Sequence, residues 1–340
     1  MKHFAYESAQ SVEQASELLR KGDAVLSAGG TDLTGVLKEK LLPNYPRTVV
    51  SLKEIPGMNR IAEEADGLHL GAMATLADIA SSSVVRSKWP ALADAAYSVA
   101  TPNLRNTATV GGNVSTNAGG MRAVKYGVTR DYVLAMTVVL PNGDIMKLGK
   151  TVCKTSSGYS LLHLMIGSEG TLGVITELTL KLIPKPLMDV SLLLPFEEIS
   201  AAIASVPEIK LANLEPQSIE FMERDIVESS AEFTGNPVFP TRVNGRDVGA
   251  YILVTLVGGS EAELTAKMDR LAEVAAKAGA YDVLVVWTDG LKKEVWAARS
   301  AFLTAIEADS KLLDEMDVVV PVDRIAEFLA FARAEAEKNG

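Results

Sequence analysis

Three glycine-rich turns, each next to an apolar segment, are the strongest constraint on how the first half of this chain folds. They are Ala28–Leu33, Thr109–Asn113 and Gly167–Ile175. Glycine lets the backbone turn so that successive N–H groups point at one spot, and such a concavity suits a pyrophosphate. Neither of the first two turns matches GxGxxG or GxxxxGK[ST], which disfavours Rossmann and P-loop folds. Taken alone, each of the first two turns is better explained by a structural role, and a tight turn before a strand would also explain the third.

The segment around the first turn predicts two strands that flank a helix. Ser11–Gln14 has the spacing of a capping box and predicts a helix near residues 12–21. A buried strand is predicted at Ala24–Leu26, followed by a short helix up to Lys40 and a second strand at Thr48–Leu52. Units in that order favour parallel pairing of the two strands.

The residues between the first and third turns predict shorter elements and one long loop. A strand and a helix are predicted within Leu68–Ala80, and another helix over Pro90–Ala100. The polar, glycine-rich stretch Thr101–Arg130 predicts a loop, and loops of that length inside compact domains are usually functional. Pro141–Asp144 predicts a hairpin turn, and the alternation over Val174–Ile183 predicts a half-buried strand.

A domain boundary is predicted at Pro184–Pro186, where two prolines end the alternating strand. The expected domains are therefore residues 1–186 and 187–340, as the length of 340 residues allows. Strands and amphipathic helices alternate in the second domain, which predicts an α+β fold. Its predicted elements are the strands Val190–Leu194, Ala250–Leu256, Val283–Val286 and Val318–Val320 and the helices Glu261–Ala278 and Arg324–Lys338.

Charge and hydropathy exclude several classes of partner. A formal net charge of −10 removes the electrostatic basis for binding nucleic acid or anionic lipid. No apolar run reaches the roughly 18 residues that predict a membrane span, and the first residues lack the apolar core of a signal peptide. A cytoplasmic protein is expected.

Cysteine and histidine are too scarce for most metal sites. Cys153 is the only cysteine, which excludes an internal disulfide and a cysteine-ligated cluster, and we expect it to be structural. A histidine metal site would require His3, His69 and His163 to converge, so no metal site is predicted. His163 lies in the apolar run Leu161–Met165, which predicts a packed helix.

Taken together and in this order, the three turns resemble the PCMH-type FAD-binding domain shared by the vanillyl-alcohol oxidase superfamily and the FAD subunits of molybdenum hydroxylases. Residues up to about 113 are more similar to the molybdenum-hydroxylase subunit, as in the carbon monoxide dehydrogenase medium chain. The segments that carry this similarity are Ala28–Leu33, Leu70–Leu76 and Arg105–Asn106.

From Asn113 to about Lys338 the chain instead resembles the FAD-linked D-lactate/glycolate dehydrogenase family, which includes the glycolate oxidase flavoprotein subunit. The segments that carry this second similarity are Ser115–Arg122, Lys125–Gly127, Ser157–Tyr159, Gly167–Ile175, Trp296–Ser300 and Asp317–Pro321. The chain therefore resembles a mosaic of two families, joined near Val110–Asn113, where both families carry nearly the same loop.

The resemblance implies an α+β architecture, in which a two-subdomain PCMH-type FAD-binding domain precedes a ferredoxin-like cap that is incomplete at its C-terminal end. FAD is expected to be non-covalent, and its pyrophosphate to rest on backbone alone at the first turn, which lacks the arginine usual in the hydroxy-acid family. The residues expected to bind FAD are Gly29, Gly30, Thr31, Asp32, Leu33, Thr109, Gly111, Gly112, Asn113, Thr116, Gly120, Glu169, Gly173, Val174 and Ile175.

For the substrate, the same resemblance implies that Arg299 grips the carboxylate of a 2-hydroxy acid, although a surface arginine on a helix explains this residue equally well. Val322 stands where relatives commonly carry arginine. The family's GHxGDGNxH segment would follow Gly340, so weak or absent turnover is expected from these residues alone.

Three functions therefore stay open at the level of sequence. The first is a 2-hydroxy-acid dehydrogenase that passes electrons to an electron-transfer flavoprotein or an iron–sulfur partner. The second is an electron-transfer subunit that takes electrons from a molybdenum subunit. The third is a flavin-free scaffold.

Overall fold

The computed structural model describes residues 1–65, 67–152, 154–310 and 317–339. Two compact units divide the chain: Met1–Gly120 with Gly127–Lys185, and Met121–Tyr126 with Pro186–Gly340. Cys153, which we expected to be structural, lies outside the described residues.

The elements of the chain up to residue 180 are short and alternate between strand and helix. In chain order they are β1 (Ala5–Ser8), α1 (Val12–Arg20), β2 (Ala24–Ser27), α2 (Thr31–Glu39), β3 (Thr48–Ser51), β4 (Ile61–Glu64), β5 (Gly67–Gly71), α3 (Leu76–Ser81), α4 (Ser83–Lys88), α5 (Pro90–Tyr97), α6 (Pro102–Thr107), α7 (Val110–Ser115), α8 (Ala123–Tyr126), a 3-10 turn (Thr129–Tyr132), β6 (Val133–Val139), β7 (Ile145–Gly149), α9 (Leu161–Met165) and β8 (Val174–Leu180).

The first unit contains two sheets. A three-stranded sheet has the order β1-β3-β2 with parallel pairing throughout, which confirms the parallel pair predicted around the first turn. A five-stranded antiparallel sheet has the order β4-β5-β8-β6-β7. The predicted helix at residues 12–21 is confirmed, and the Ser11 hydroxyl accepts the N–H of Gln14 as its N-terminal cap.

The long loop predicted at Thr101–Arg130 is wrong, because the structure places α6, α7, α8 and part of the 3-10 turn there. Two N-terminal caps signal the helices: the Thr101 and Thr109 hydroxyls accept the N–H of the residue three positions on. Glycine content had outweighed these caps in the sequence-based prediction. The strand predicted to reach Ile183 ends at Leu180.

The elements after residue 180 form the second unit together with α8. They are β9 (Met188–Phe196), α10 (Ile199–Leu211), β10 (Ser218–Glu223), α11 (Arg224–Thr234), β11 (Arg242–Val243), β12 (Arg246–Asp247), β13 (Ala250–Gly258), α12 (Glu261–Lys277), β14 (Leu284–Val286), α13 (Asp289–Ser300), α14 (Phe302–Asp309), a 3-10 turn (Val322–Arg324) and α15 (Ile325–Asn339).

The main sheet of the second unit has the order β10-β13-β9-β14, and its neighbouring strands are antiparallel. With α10 after β9 and α12 after β13, the order is that of the predicted ferredoxin-like β-α-β-β-α-β unit. Both faces of this sheet are covered. One core includes residues of α10 and α12, and a second core includes residues of α11, α13 and α14.

One predicted strand of the second unit is wrong. Val318–Val320 is not a strand in the structure, and Val319 is 99% exposed. An apolar run forms a strand only where a neighbouring strand takes up its backbone hydrogen bonds, and sequence alone does not show whether that neighbour exists. The other three predicted strands of this unit and both predicted helices are confirmed, with the last helix beginning at Ile325.

The core of the second unit permits a direct test of the packing. Leu256 of β13 is fully buried, so Leu256→Ala should lower the free energy of unfolding by about 2–5 kcal/mol through lost burial and a cavity. Leu211 is 75% exposed, so Leu211→Ala should change the free energy of unfolding by no more than about 0.5 kcal/mol. Urea unfolding followed by circular dichroism measures both, and equal effects would show that β13 is not in this core.

Candidate FAD and substrate sites

The three glycine-rich turns meet at α7, the six-residue helix Val110–Ser115. At the first turn, a Cβ built on Gly29 would lie 2.2 Å from the Thr107 carbonyl oxygen, just before α7. At the third turn, the N–H groups of Gly167 and Glu169 donate to carbonyl oxygens of α7 at 3.1 and 2.9 Å. The segments that the sequence singled out therefore form one cluster.

The first turn connects β2 to α2 and leaves its helix N-terminus open. Gly30 precedes the helix in the left-handed conformation, with φ +82°, and offers no side-chain cap. Among the described residues, no protein acceptor takes the N–H of Thr31, Asp32 or Leu33. Uncapped N–H groups at a helix N-terminus suit a phosphate group, as the sequence predicted for this turn.

The second turn differs from its predicted geometry. Its N–H groups are taken up inside the protein: Val110 donates to the Ala74 carbonyl, Gly111 to the Ala72 carbonyl and Gly112 to the Thr109 hydroxyl. A Cβ on Gly111 would lie 2.8 Å from the Ala72 carbonyl oxygen. The glycines here let α7 pack closely on the residues after β5, and the expected row of outward N–H groups is absent at these three described residues.

The Thr109 hydroxyl should therefore matter for stability. Thr109 is 2% exposed, and its hydroxyl accepts the Gly112 N–H at 3.1 Å. Thr109→Ala should lower the free energy of unfolding by about 0.5–2 kcal/mol, because a helix cap is lost. Thr109→Ser keeps the oxygen and should recover most of that loss in a thermal melt. A serine variant as unstable as the alanine variant would assign the effect to the methyl group instead.

The third turn is held in a strained conformation. Glu169 has φ +52°, between Gly167 and Gly170 at +80° and +78°. A Cβ on Gly173 would lie 2.8 Å from the Val139 carbonyl oxygen, so this glycine permits the close pairing of β8 with β6. Ile175 is buried in the core of the first unit, so its side chain is not available to a ligand.

The remaining predicted FAD residues lie at or just after the C-terminal end of α7. Asn113 is half-buried, while Thr116 and Gly120 are exposed. Arg130 was not predicted: its backbone N–H donates to the Asn117 side chain at 2.9 Å, and its guanidinium donates to the Ile166 carbonyl at 3.0 Å. Arg130 therefore links the segment after α7 to the segment before the third turn, and nothing in the local sequence signals this contact.

Arg299 lies in the second unit, on α13, and is paired with a carboxylate that the sequence did not single out. Its Nε and Nη2 atoms both donate to Oε2 of Glu220, at 2.9 and 2.6 Å. The Glu220 side chain is 12% exposed and that of Arg299 is 33% exposed. The guanidinium has five N–H donors, so three remain for another acceptor.

No helix among the described residues is long and apolar enough to cross a membrane. Within the same residues, no group of three or more His, Cys, Asp or Glu side chains is arranged to hold a metal ion.

Comparison with known proteins assigns the two parts of the chain to different family models. Residues 2–139 match the FAD binding domain in molybdopterin dehydrogenase, and residues 185–340 match the C-terminal domain of FAD linked oxidases. The chain therefore joins a part that is similar to the FAD binding domain in molybdopterin dehydrogenase to a part that is similar to the C-terminal domain of FAD linked oxidases. FAD is the cofactor that both models imply, which argues against a flavin-free scaffold.

Curated relatives of this chain have names that refer to 2-hydroxy acids. The chain is 59% identical over 233 residues to D-lactate dehydrogenase of Anaerostipes hadrus. The aligned region covers 68% of this chain and 49% of that protein. The chain is 35% identical to the glycolate oxidase subunit GlcD of Bacillus subtilis, over 66% of this chain and 46% of that one. The chain spans about half the length of these curated relatives.

Solved structures show the same fold at low sequence identity. Alkyldihydroxyacetonephosphate synthase aligns with a TM-score of 0.67 and 16% identity, over 97% of this chain and 65% of that one. p-Cresol methylhydroxylase aligns with a TM-score of 0.59 and 15% identity, over 86% and 61% of the two chains. These likenesses support the fold class predicted from sequence.

The residues present at α7 fit FAD. The close approach at Gly29 brings the uncapped first turn of α2 beside α7, and a side chain at that position would overlap the backbone. Free N–H groups at the start of α2 match a negatively charged pyrophosphate, and no ionised side chain is needed there. The role of the other predicted FAD contacts stays a prediction.

Proposed function

We propose that this chain binds FAD non-covalently and recognises a small 2-hydroxy acid as part of a dehydrogenase that oxidises the substrate at C2. The 59% identity to a protein named D-lactate dehydrogenase carries the proposal. The similarity to a glycolate oxidase subunit supports the same substrate class.

FAD, when bound, supplies the acceptor for the hydride that leaves C2. The N–H groups of Thr31, Asp32 and Leu33 at the start of α2 would hold its pyrophosphate. Arg299 would bind the substrate carboxylate through two parallel N–H bonds, which fixes the direction of the C2–H bond. For the finer points, we propose a cytoplasmic location and an electron-transfer flavoprotein or iron–sulfur protein as the electron acceptor, as the resemblance implies.

Turnover with an artificial acceptor tests the proposal. The FAD-loaded protein is mixed with dichlorophenolindophenol and with D-lactate, glycolate or L-lactate, and loss of dye colour is followed. Slow dye reduction is expected, because only weak turnover is expected of these residues alone. Reduction that needs D-lactate or glycolate, and that is at least tenfold slower still with L-lactate, supports the proposal. Equal rates with both lactate enantiomers, or no reduction with any of the three, contradict it.

A second function has one specific observation in its favour. Because residues 2–139 match the FAD domain of molybdopterin dehydrogenases, the chain is a candidate electron-transfer subunit of a molybdenum-hydroxylase-like complex. Its flavin would then be reduced by a reduced iron–sulfur subunit of such a complex and would not respond to D-lactate. The flavin spectrum is recorded after addition of D-lactate and, separately, after addition of the reduced iron–sulfur subunit. The reductant that bleaches the flavin separates the two functions.

A further inference from the structure

One face of the main sheet in the second unit changes from apolar to polar along its strands. The central part of this face is apolar and includes Leu193 and Leu253. Nearer one end, three hydroxyls lie side by side, because Ser218 pairs with Thr255 and Thr255 pairs with Ser191. All three are at most 3% exposed.

These buried hydroxyls are costly, and one of them has no partner. Ser191 and Thr255 are hydrogen-bonded to each other at 2.9 Å. The Ser218 hydroxyl has no hydrogen-bond partner among the described residues. A buried hydroxyl without a partner costs about 1–3 kcal/mol, so a fold selected for stability alone would place an apolar residue here.

The helix α13 covers this polar end with a polar stripe of its own. Lys292, Trp296 and Arg299 follow one another at helical spacing and contact the strands in turn. Lys292 pairs with Asp189 at 3.0 Å, and the Trp296 indole N–H donates to the Ser191 hydroxyl at 3.4 Å. Arg299 is the last residue of this stripe and donates to Glu220, which lies two residues from Ser218 on β10.

The Arg299–Glu220 pair leaves part of the guanidinium open. A single oxygen, Glu220 Oε2, accepts from both Nε and Nη2, so one side of the planar group is occupied. Nη1 and the second hydrogen of Nη2 form the other side, which has the spacing that a second carboxylate needs. The guanidinium carbon also lies 5.9 Å from the centroid of the Phe302 ring, within the range of a cation–π contact.

We propose that Glu220 is the positioning residue for the substrate site: it holds the guanidinium of Arg299 so that the open side receives the carboxylate of a 2-hydroxy acid. The inference rests on the proposed function. Glu220 acts through Arg299 and touches neither substrate nor cofactor.

Position and charge predict opposite effects at Glu220, which makes the inference testable. Glu220 is an anion beside the cation that binds an anionic substrate, so removing its charge alone should strengthen anion binding. Losing its hold on the guanidinium should weaken binding, because the open N–H groups are then no longer fixed where a carboxylate can accept both of them. Glu220→Ala removes charge and contact, whereas Glu220→Gln removes the charge and keeps an acceptor oxygen.

The experiment measures oxalate binding, which needs no turnover because oxalate has no C–H bond to break. Oxalate is titrated into the FAD-loaded protein, and the change in the flavin spectrum gives Kd. We expect Glu220→Ala to raise Kd at least tenfold and Glu220→Gln to recover most of that loss. Glu223→Gln is the matched control, since Glu223 lies on the same strand and pairs with Arg333.

Two results would overturn the inference. Oxalate binding to the Glu220→Ala variant that equals or exceeds that of the unmodified protein would show that Glu220 does not position Arg299. A lower melting temperature with unchanged Kd would assign Glu220 a purely structural role. Unchanged oxalate binding in Arg299→Gln would instead overturn the proposed function, because the carboxylate would then bind elsewhere.

Discussion

Replacing Gly29 by alanine should abolish FAD retention. The added Cβ would lie 2.2 Å from the Thr107 carbonyl oxygen, a distance that real Cβ contacts essentially never show. Neither atom is at the end of a flexible side chain, so β2 and the turn before α7 must separate. The uncapped start of α2 then moves away from α7. Flavin absorbance of the purified protein, after incubation with FAD and gel filtration, measures the loss.

Gly35→Ala provides the matched control because Gly35 lies on α2, and no atom beyond the adjacent backbone of that helix lies within 4 Å of its added Cβ. Alanine inside a helix is favoured over glycine by about 0.5–1 kcal/mol, so this variant should retain FAD with equal or higher stability. A folded Gly29→Ala protein that keeps stoichiometric FAD would place the cofactor away from this turn.

Replacing Arg299 by glutamine should raise the KM for D-lactate by about 30-fold or more, since truncating one partner of a hydrogen-bonded charge pair costs about 2–5 kcal/mol. Glutamine keeps an N–H donor but has a shorter side chain, and it loses the charge and the two-point contact. Steady-state kinetics with the dye acceptor measure KM directly.

Arg333→Gln is the control for that change. Arg333 is also paired with a glutamate of β10, at Glu223, and its side chain is 47% exposed. An exposed pair contributes little, so KM should stay unchanged. If Arg299→Gln leaves KM unchanged as well, Arg299 is a structural residue on a helix and the carboxylate site lies elsewhere.

The sequence correctly predicted helix starts and turns that depend on residues close together in the chain. The capping-box spacing at Ser11 predicted a helix start, and the Ser11 hydroxyl accepts the N–H of Gln14. The hairpin at Pro141–Asp144 followed from turn chemistry, and β6 and β7 pair around it. These features depend on neighbours within a few residues, which a single sequence displays.

Contacts between residues far apart in the chain could not be predicted from the sequence. Thr109 is a residue type that caps helices, yet the glycines around it favoured a loop in the prediction from sequence. The structure shows that the glycines allow α7 to pack against Ala72. Val319 is 99% exposed and lies outside any strand of the described residues, although its apolar run suggested one. Both errors arise because tertiary contacts override local preference.

In the candidate site too, residues marked by local sequence could be predicted, and residues brought together by the fold could not. The glycine turns could be found because glycine marks close backbone approach, as Gly29 and Gly111 demonstrate. Glu220 could not be found, because a glutamate on a strand carries no local sign that an arginine 79 residues later will reach it. Arg130 was missed for the same reason, since its partners are brought near by the fold.

The visible spectrum of the purified protein, before and after anaerobic addition of D-lactate or glycolate, tests the central claim most directly. A bound flavin that bleaches slowly with either hydroxy acid is the predicted result, since only weak turnover is expected of these residues alone, and it would show that FAD and substrate sites operate together in this chain. A bound flavin that stays oxidised with both acids would contradict the substrate assignment, and a colourless protein that takes up no added FAD would contradict the cofactor site at α7.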